Sequence, residues 1–355
     1  MLTRFSPLLP AFGLAAVCLL TFSGTARCNE FGNAISALPT DLTEVLAHGS
    51  RCDEAGAMGR NHPKYFHVRF QSGMHRLAFH AIAKEDPRVL SDFVRALEYS
   101  LDHQLPSGAF ELVIPDSLRT ARRPTKADLA SGLAFFLASA GTGLHALETS
   151  DWAMASKAIA AQRDRLAATK PALTRSLNRL LANKAVLAEY DSVAPNRLLF
   201  DAVAFHTLGT LLDNQNALSA SREFVNKAFR LVDAEGYFIE KGGYDSSYNG
   251  VATALALRLQ LMNALPPHSQ VPAKAIAWQV TRIRDDGMIL TAGNTRVNEV
   301  GGESFLGRKK DVDVAHTVEA LLFHSVAADR SESVQRARAV VNHYRNAART
   351  VVPTE

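Results

Sequence analysis

Apolar residues recur three and four positions apart along most of the chain, and no stretch of useful length alternates Val, Ile or Thr with polar residues as a strand would. That period predicts an all-α protein. The spacing places helices over residues 72–83, 88–104, 126–147, 151–168, 172–190, 196–213, 219–233, 247–263, 271–284, 311–328 and 331–348. Start signals stand where they are needed: Asp86-Pro87 before the second, Ser150-Asp151 before the fourth, and Ser219 with Glu223 before the seventh. Gly141-x-Gly143 reads as an isolated helix-end pair.

Three connections repeat one pattern, in which a helix ends, a polar turn carries Gly, and an apolar residue follows before the next helix. They are Leu101–Glu111 around Gly108, Val232–Glu240 around Gly236, and Arg284–Leu290 around Gly287. Gly accepts a positive φ there, and the bulky residue two positions later can pin the returning loop against the helix ends. Repeated helix hairpins of this kind predict an α/α toroid, complete or incomplete, rather than a four-helix bundle.

The first 26 residues have the layout of a secretory signal peptide: Arg4, an apolar run from Leu8 to Phe22, then small residues, with cleavage expected after Ala26. Pro10 and Gly13 interrupt the run, which is short for a membrane span. Arg27 before Cys28 argues against lipid attachment, so a soluble periplasmic or secreted product is expected. Of the three cysteines Cys18 leaves with the leader. Cys28 and Cys52 remain, either as a disulfide suited to an oxidising compartment or as two idle thiols. The 329 residues that cleavage would leave, out of 355, read as an N-terminal arm over 27–70 and a single helical domain over 71–350, with no Pro/Gly/Ser-rich linker between them.

The formal charge of +4 and pI near 9.0 favour an anionic partner over a cationic one. Arg308-Lys309-Lys310 is the longest basic run, so nucleic-acid binding has little support. No P-loop, dinucleotide fingerprint, His-Glu-x-x-His or Gly-x-Ser-x-Gly is present, and no metal site or cofactor is expected.

The chemistry-bearing stretch is Glu235–Gly250, which packs Tyr, Glu, Asp and Gly between two apolar helices. Tyr244 and Tyr248 stand four apart and can share a helix face, while Asp245 or Ser246 can act as its cap. The alternative is that both tyrosines simply pack, with their hydroxyls satisfied at the rim. A second polar cluster runs from Asn294 through Arg296, Glu299 and Glu303 to Arg308, Lys309, Lys310 and Asp313. A loop of this length can carry cations to a binding mouth, or be a solvated surface loop with Asp311 or Asp313 capping the next helix. His316 and Glu319 share that helix at a spacing of three. Trp152 and Trp278 read as packing residues.

Gly236-x-Phe238-x-Glu240 followed by Tyr244 and Tyr248 resembles the Asp-Gly-x-x-x-Glu-x-Ser-x-x-Tyr segment of α/α-toroid polysaccharide lyases, including heparinase-like and alginate lyases. The helix opening at Asn196-Arg197 and running through His206 occupies the corresponding place ahead of it, so the resemblance covers about residues 196–263. The chain departs in having Glu235 for the usual Asp and in lacking an Asn-His pair and a C-terminal β-sandwich. The resemblance implies β-elimination on an acidic, uronate-containing polysaccharide. Tyr248 or Tyr244 would then be the base and acid, Asn196 and Arg296 would neutralise the uronate carboxylate, His206 would be a second base, and Glu240 a further catalytic candidate. Lys241, Asp245, Asn294, Glu299, Lys309 and Lys310 would line the substrate. An independent reading of the carboxylates Glu240, Asp245, Glu299 and Glu303 is a glycoside hydrolase, and a third is a glycan-binding or assembly protein with no chemistry.

Overall fold

A computed structural model describes residues 30–114, 124–295, 304–305, 308–309 and 312–350. The described chain is mostly helical, with fifteen α-helices, and is all-α as the periodicity predicts. They are α1 (Glu30–Ser36), α2 (Thr40–His48), α3 (His75–Lys84), α4 (Pro87–Asp102), α5 (Lys126–Glu148), α6 (Asp151–Ala155), α7 (Ala160–Ala168), α8 (Lys170–Ala182), α9 (Lys184–Tyr190), α10 (Pro195–Leu211), α11 (Gln215–Phe229), α12 (Ser246–Leu261), α13 (Val271–Thr281), α14 (Val314–Ala327) and α15 (Ser331–Thr350). A two-residue hairpin, β1 (Ser304–Phe305) with β2 (Arg308–Lys309), is antiparallel.

Two expected helices are each broken in two. Residues 151–168 become α6 and α7 because Ser156 is extended, and Arg163 Nη1 satisfies the carbonyls of Ala153, Met154 and Ser156 that the break exposes. Residues 172–190 become α8 and α9 at Asn183, whose amide donates to the Arg179 carbonyl 2.7 Å away. The stretch read as an arm contains α1 and α2, which bury Phe31, Ile35, Leu42 and Leu46.

Five helices are buried on nearly every side: α3, α5, α10, α12 and α14. Each packs on the next in that order, and His75 to Glu319 and Phe79 to Phe323 bring α14 back onto α3. The helices that alternate with them or follow them in sequence, including α4, α8, α11 and α15, carry one apolar and one polar face, as an outer layer would. Arg338 of α15 meets Asp41 of α2 across that layer. α5 is long and apolar enough to cross a membrane by length and composition, but its apolar window is 89% buried, which makes it a core helix here. Gly141 and Gly143 lie inside α5, not at its end; they let Thr207 of α10 and Phe93 of α4 approach closely.

The three glycine turns are one device in atomic detail. Gly108, Gly236 and Gly287 have φ of +76°, +103° and +88°. Each turn closes through the same bonds, from Leu105 N to Ala109 O, Asp233 N to Tyr237 O, and Arg284 N to Met288 O, at 2.8–2.9 Å. The residue two positions on bridges back to the preceding helix end, Phe110 to Gln104, Phe238 to Val232 and Ile289 to Ile283. Each glycine lies against the backbone of an outer helix, at Arg175, Lys274 and Ala339, so a side chain would not fit.

No disulfide is present among the described residues. Cys52 is a free, half-buried thiol, with Sγ 3.6 Å from the Asp92 carbonyl oxygen and 3.8 Å from Arg95 Nη2; Cys28 and the leader lie outside the described residues.

Candidate functional site at the helix mouth

The buried helices run the same way. Phe135 stacks on Phe200 at 4.0 Å in the first halves of α5 and α10, and His145 meets His206 at 6.3 Å in their second halves. Ser247 at the start of α12 likewise accepts from the Asp313 backbone N–H at the start of α14, 2.8 Å away. The N-terminal ends therefore gather at one mouth. At the other end α1 sets Phe31 against Phe79 and His145, at 6.0 and 5.7 Å.

The mouth holds a mixed set of side chains. Arg69 enters from the turn before α3 and lies 4.1 Å over the Phe135 ring, half-buried and with no ion pair among the described residues. Its charge is within reach of Tyr248, Tyr190, Asp191 and Arg197. Asn196, second residue of α10, is buried with its Oδ1 unpartnered. Tyr248 and His316 are each the third residue of their helices, α12 and α14. His316 Nδ1 is 2.9 Å from Asp313 Oδ2, and its ring meets Phe200 edge-on at 6.0 Å. Burial raises the Asp313 carboxyl pKa, but His316 and Arg76 outweigh it and hold the group ionised well below the usual carboxylate range. An ionised Asp313 accepts from the Nδ1–H of His316 and so orients its ring.

Beneath lies a buried ionic layer. Glu319 accepts from Arg76 Nε at 2.5 Å and from Arg258 Nη2 at 2.7 Å, and its Oε1 lies 3.1 Å from His75 Nε2. Burial and Arg258 lower the His75 pKa to about 3, so its ring is neutral. The neutral ring has Nδ1 3.0 Å from Ser139 Oγ, and its Nε2 sits between Glu319 Oε1 and Arg258 Nη2, the latter 2.9 Å away. Glu319 is ionised, since the three cationic and histidine neighbours overcome its burial. Beside the mouth Asp191 and Asp201 form a second buried pair. Burial raises both, Asp201 well above the usual range with help from the Asp191 charge, while Arg197 holds Asp191 at 3.3 Å.

Several residues expected to act on substrate are engaged in building the fold. Tyr244 packs on Trp278 and Tyr237 at 5.4 and 5.8 Å, with Arg282 4.9 Å over its ring and its hydroxyl 3.4 Å from the Ala292 carbonyl. Asp245 caps α12, accepting from the Ser247 and Tyr248 N–H groups at 2.9 and 3.0 Å. Asn294 receives the Ser246 N–H and hydroxyl, both at 3.0 Å, and so seats the same helix end. Glu240 is buried in a tight turn that Gly243 closes, and Lys241 is exposed in it at φ +51°. His206 lies ten residues along α10 from Asn196, about 15 Å, at the end where α1 packs; burial lowers its pKa to about 4. Arg296, Glu299 and Lys310 lie outside the described residues, and Lys309 is placed only as backbone in β2.

Sequence reasoning overlooks Arg69, His75, Arg76 and Arg258, and places only a weak signal on His316 and Glu319. Arg258 is the one basic residue in an otherwise apolar stretch of α12, which marks it as a partner for a buried acid. Among the described residues no cluster of His, Cys, Asp and Glu could hold a metal ion. No known family model matches the chain, and no curated protein matches it.

Proposed function

We propose that the protein is an exported α/α-toroid lyase that cleaves an acidic, uronate-containing polysaccharide by β-elimination at the N-terminal mouth of its buried helices. The cyclic order of those helices and the threefold glycine turn support the toroid. The observation that carries the activity is the gathering at one end of Arg69, Asn196, Tyr248 and the Asp313–His316 pair, with aromatic rings between them. Export rests on the leader pattern of the first 26 residues, and the intact mass of the exported protein reads whether cleavage falls after Ala26.

The chemistry follows from these groups. Arg69 and Asn196 hold the uronate carboxylate and stabilise the charge that develops as C5 loses its proton. His316 Nε2 takes that proton, with Asp313 keeping the ring in the right tautomer. The C5–H electrons become the C4–C5 double bond, the C4–O bond breaks, and the Tyr248 hydroxyl gives its proton to the leaving oxygen. Proton return from His316 to Tyr248 through water resets the site. Hydrolysis is less well served, because Asp245 is bound to backbone N–H groups as a cap.

The test incubates the mature protein with alginate, heparan, chondroitin and hyaluronan and follows the absorbance of unsaturated uronate. Elimination predicts a rise that Tyr248→Phe or His316→Gln lowers by about 10²–10⁴-fold. New reducing ends without absorbance would assign hydrolysis, and binding without either product would assign a glycan-binding protein.

A further inference from the structure

A cavity of about 350 Å³ opens beside the mouth, between the start of α5, the second half of α8 and the turn after α4. Val68, Phe110, Leu129 and Leu133 give it an apolar floor, and Lys126 and Arg179 bring two cations to its walls. Both cations are exposed, and neither forms an ion pair among the described residues. The one carboxylate on the wall, Glu111, is already bonded to His103 Nδ1 at 2.9 Å. Among the described residues the lining therefore carries two cations against one carboxylate, a net positive charge. His67 adds a donor: its Nδ1 accepts from the Arg69 N–H at 3.1 Å, which places the ring proton on Nε2.

This cavity and the mouth share their walls. His67 and Val68 line the cavity, and Arg69, the next residue, lies over Phe135 at the mouth. On α5, Lys126 and Phe135 are nine residues apart, about 13 Å along the axis, a span of a few sugar rings. We propose that this cavity is an outlying subsite for a uronate-bearing oligosaccharide, holding sugars of the same chain whose reacting unit sits at the mouth. The carboxylates meet Lys126 and Arg179, and the C–H faces of the rings lie on Phe110 and Leu129. The inference rests on the proposed substrate class and adds that the protein selects chains over single sugars.

Calorimetric binding of uronate oligosaccharides of two to eight units reads it directly, with Lys126→Glu/Arg179→Glu beside the wild type and neutral cello-oligosaccharides as the control. Both positions are exposed, and thermal unfolding of the double variant confirms that it folds. The expected result is affinity that rises with length in the wild type, weakens with added salt, and falls about tenfold or more in the double variant for the longest chain. Equal affinity of the two proteins for the longest chain overturns the subsite, as does binding by neither. Length-dependent, charge-dependent binding with no unsaturated product would uphold the subsite and overturn the lyase reading.

Discussion

Glu319 on α14 and Asp201 on α10 are both fully buried carboxyls, and their neighbours give them opposite charge states. Glu319 faces Arg76, Arg258 and His75, so it is ionised; Asp201 faces Asp191, so burial and that charge keep it protonated. Amide replacement separates the two. Glu319→Gln leaves two buried guanidinium groups without their counter-charge and is expected to cost about 3–5 kcal/mol. Asp201→Asn replaces a neutral acid by a neutral amide and is expected to cost less than about 1.5 kcal/mol. Urea unfolding at neutral pH measures both, and equal losses would overturn the assignment of charge states. The sequence offers Glu319 only as half of a three-residue spacing with His316, because its partner His75 is 244 residues away. Asn196 and Tyr248 are legible because polar residues at helix starts stand out locally. Tyr244, Asp245 and Asn294 look equally chemical, yet only the packing of Trp278, Arg282 and the α12 start shows that they hold the fold.

The recurring element is the glycine turn, and its strictness comes from the neighbour as much as from φ. Gly287 and Gly242 have nearly the same φ, +88° and +84°, but a Cβ on Gly287 would run into the Ala339 carbonyl of α15 while Gly242 faces nothing within 4 Å. Gly242→Ala is therefore expected to cost about 1–2 kcal/mol, the left-handed penalty alone. Gly287→Ala adds a forced backbone shift and is expected to cost about 3 kcal/mol or more. Matched thermal or urea unfolding of the two variants tests this, and a Gly287→Ala loss no larger than that of Gly242→Ala would show that the outer helix yields freely. The turns and most helices are legible because their signals lie within a dozen residues of one another. The seven residues of α1 are too few to establish a period, and they fold because the core presents a surface to Phe31 and Ile35. The breaks at Ser156 and Asn183 are likewise invisible in apolar spacing, since bonds from polar side chains to nearby backbone carbonyls stabilise them.

At the scale of the whole molecule, stability is expected to fall on mild acidification. His75 is held at about 3, and His145, His67 and His206 at about 4, against an ordinary 6.5, with burial the largest cause in each. The folded chain keeps these rings neutral while the unfolded chain takes up protons below about 6.5, so stability is complete above that pH and is lost as the pH falls toward the folded values. Each group contributes at most about 1.4 kcal/mol per pH unit. The deeply buried His75 and His145 approach that limit, and the half-buried His67 and His206 fall short of it. The Asp191–Asp201 pair opposes this trend, because raised carboxyls lose stability as the pH rises from 3.8 through their folded values. One shared proton does not offset two to four histidines. Glu319 then adds its own loss at lower pH, since its folded value lies far below 4.5. The urea midpoint should therefore drop between pH 7 and pH 5. His145→Phe tests the origin of that drop, because His145 packs on Phe31 by its ring face and Phe can replace that contact without titrating. The variant should show a shallower fall, by up to one proton's worth of slope. An unchanged slope would remove His145 from the account, and a flat wild-type profile would overturn the buried-neutral assignment for the set.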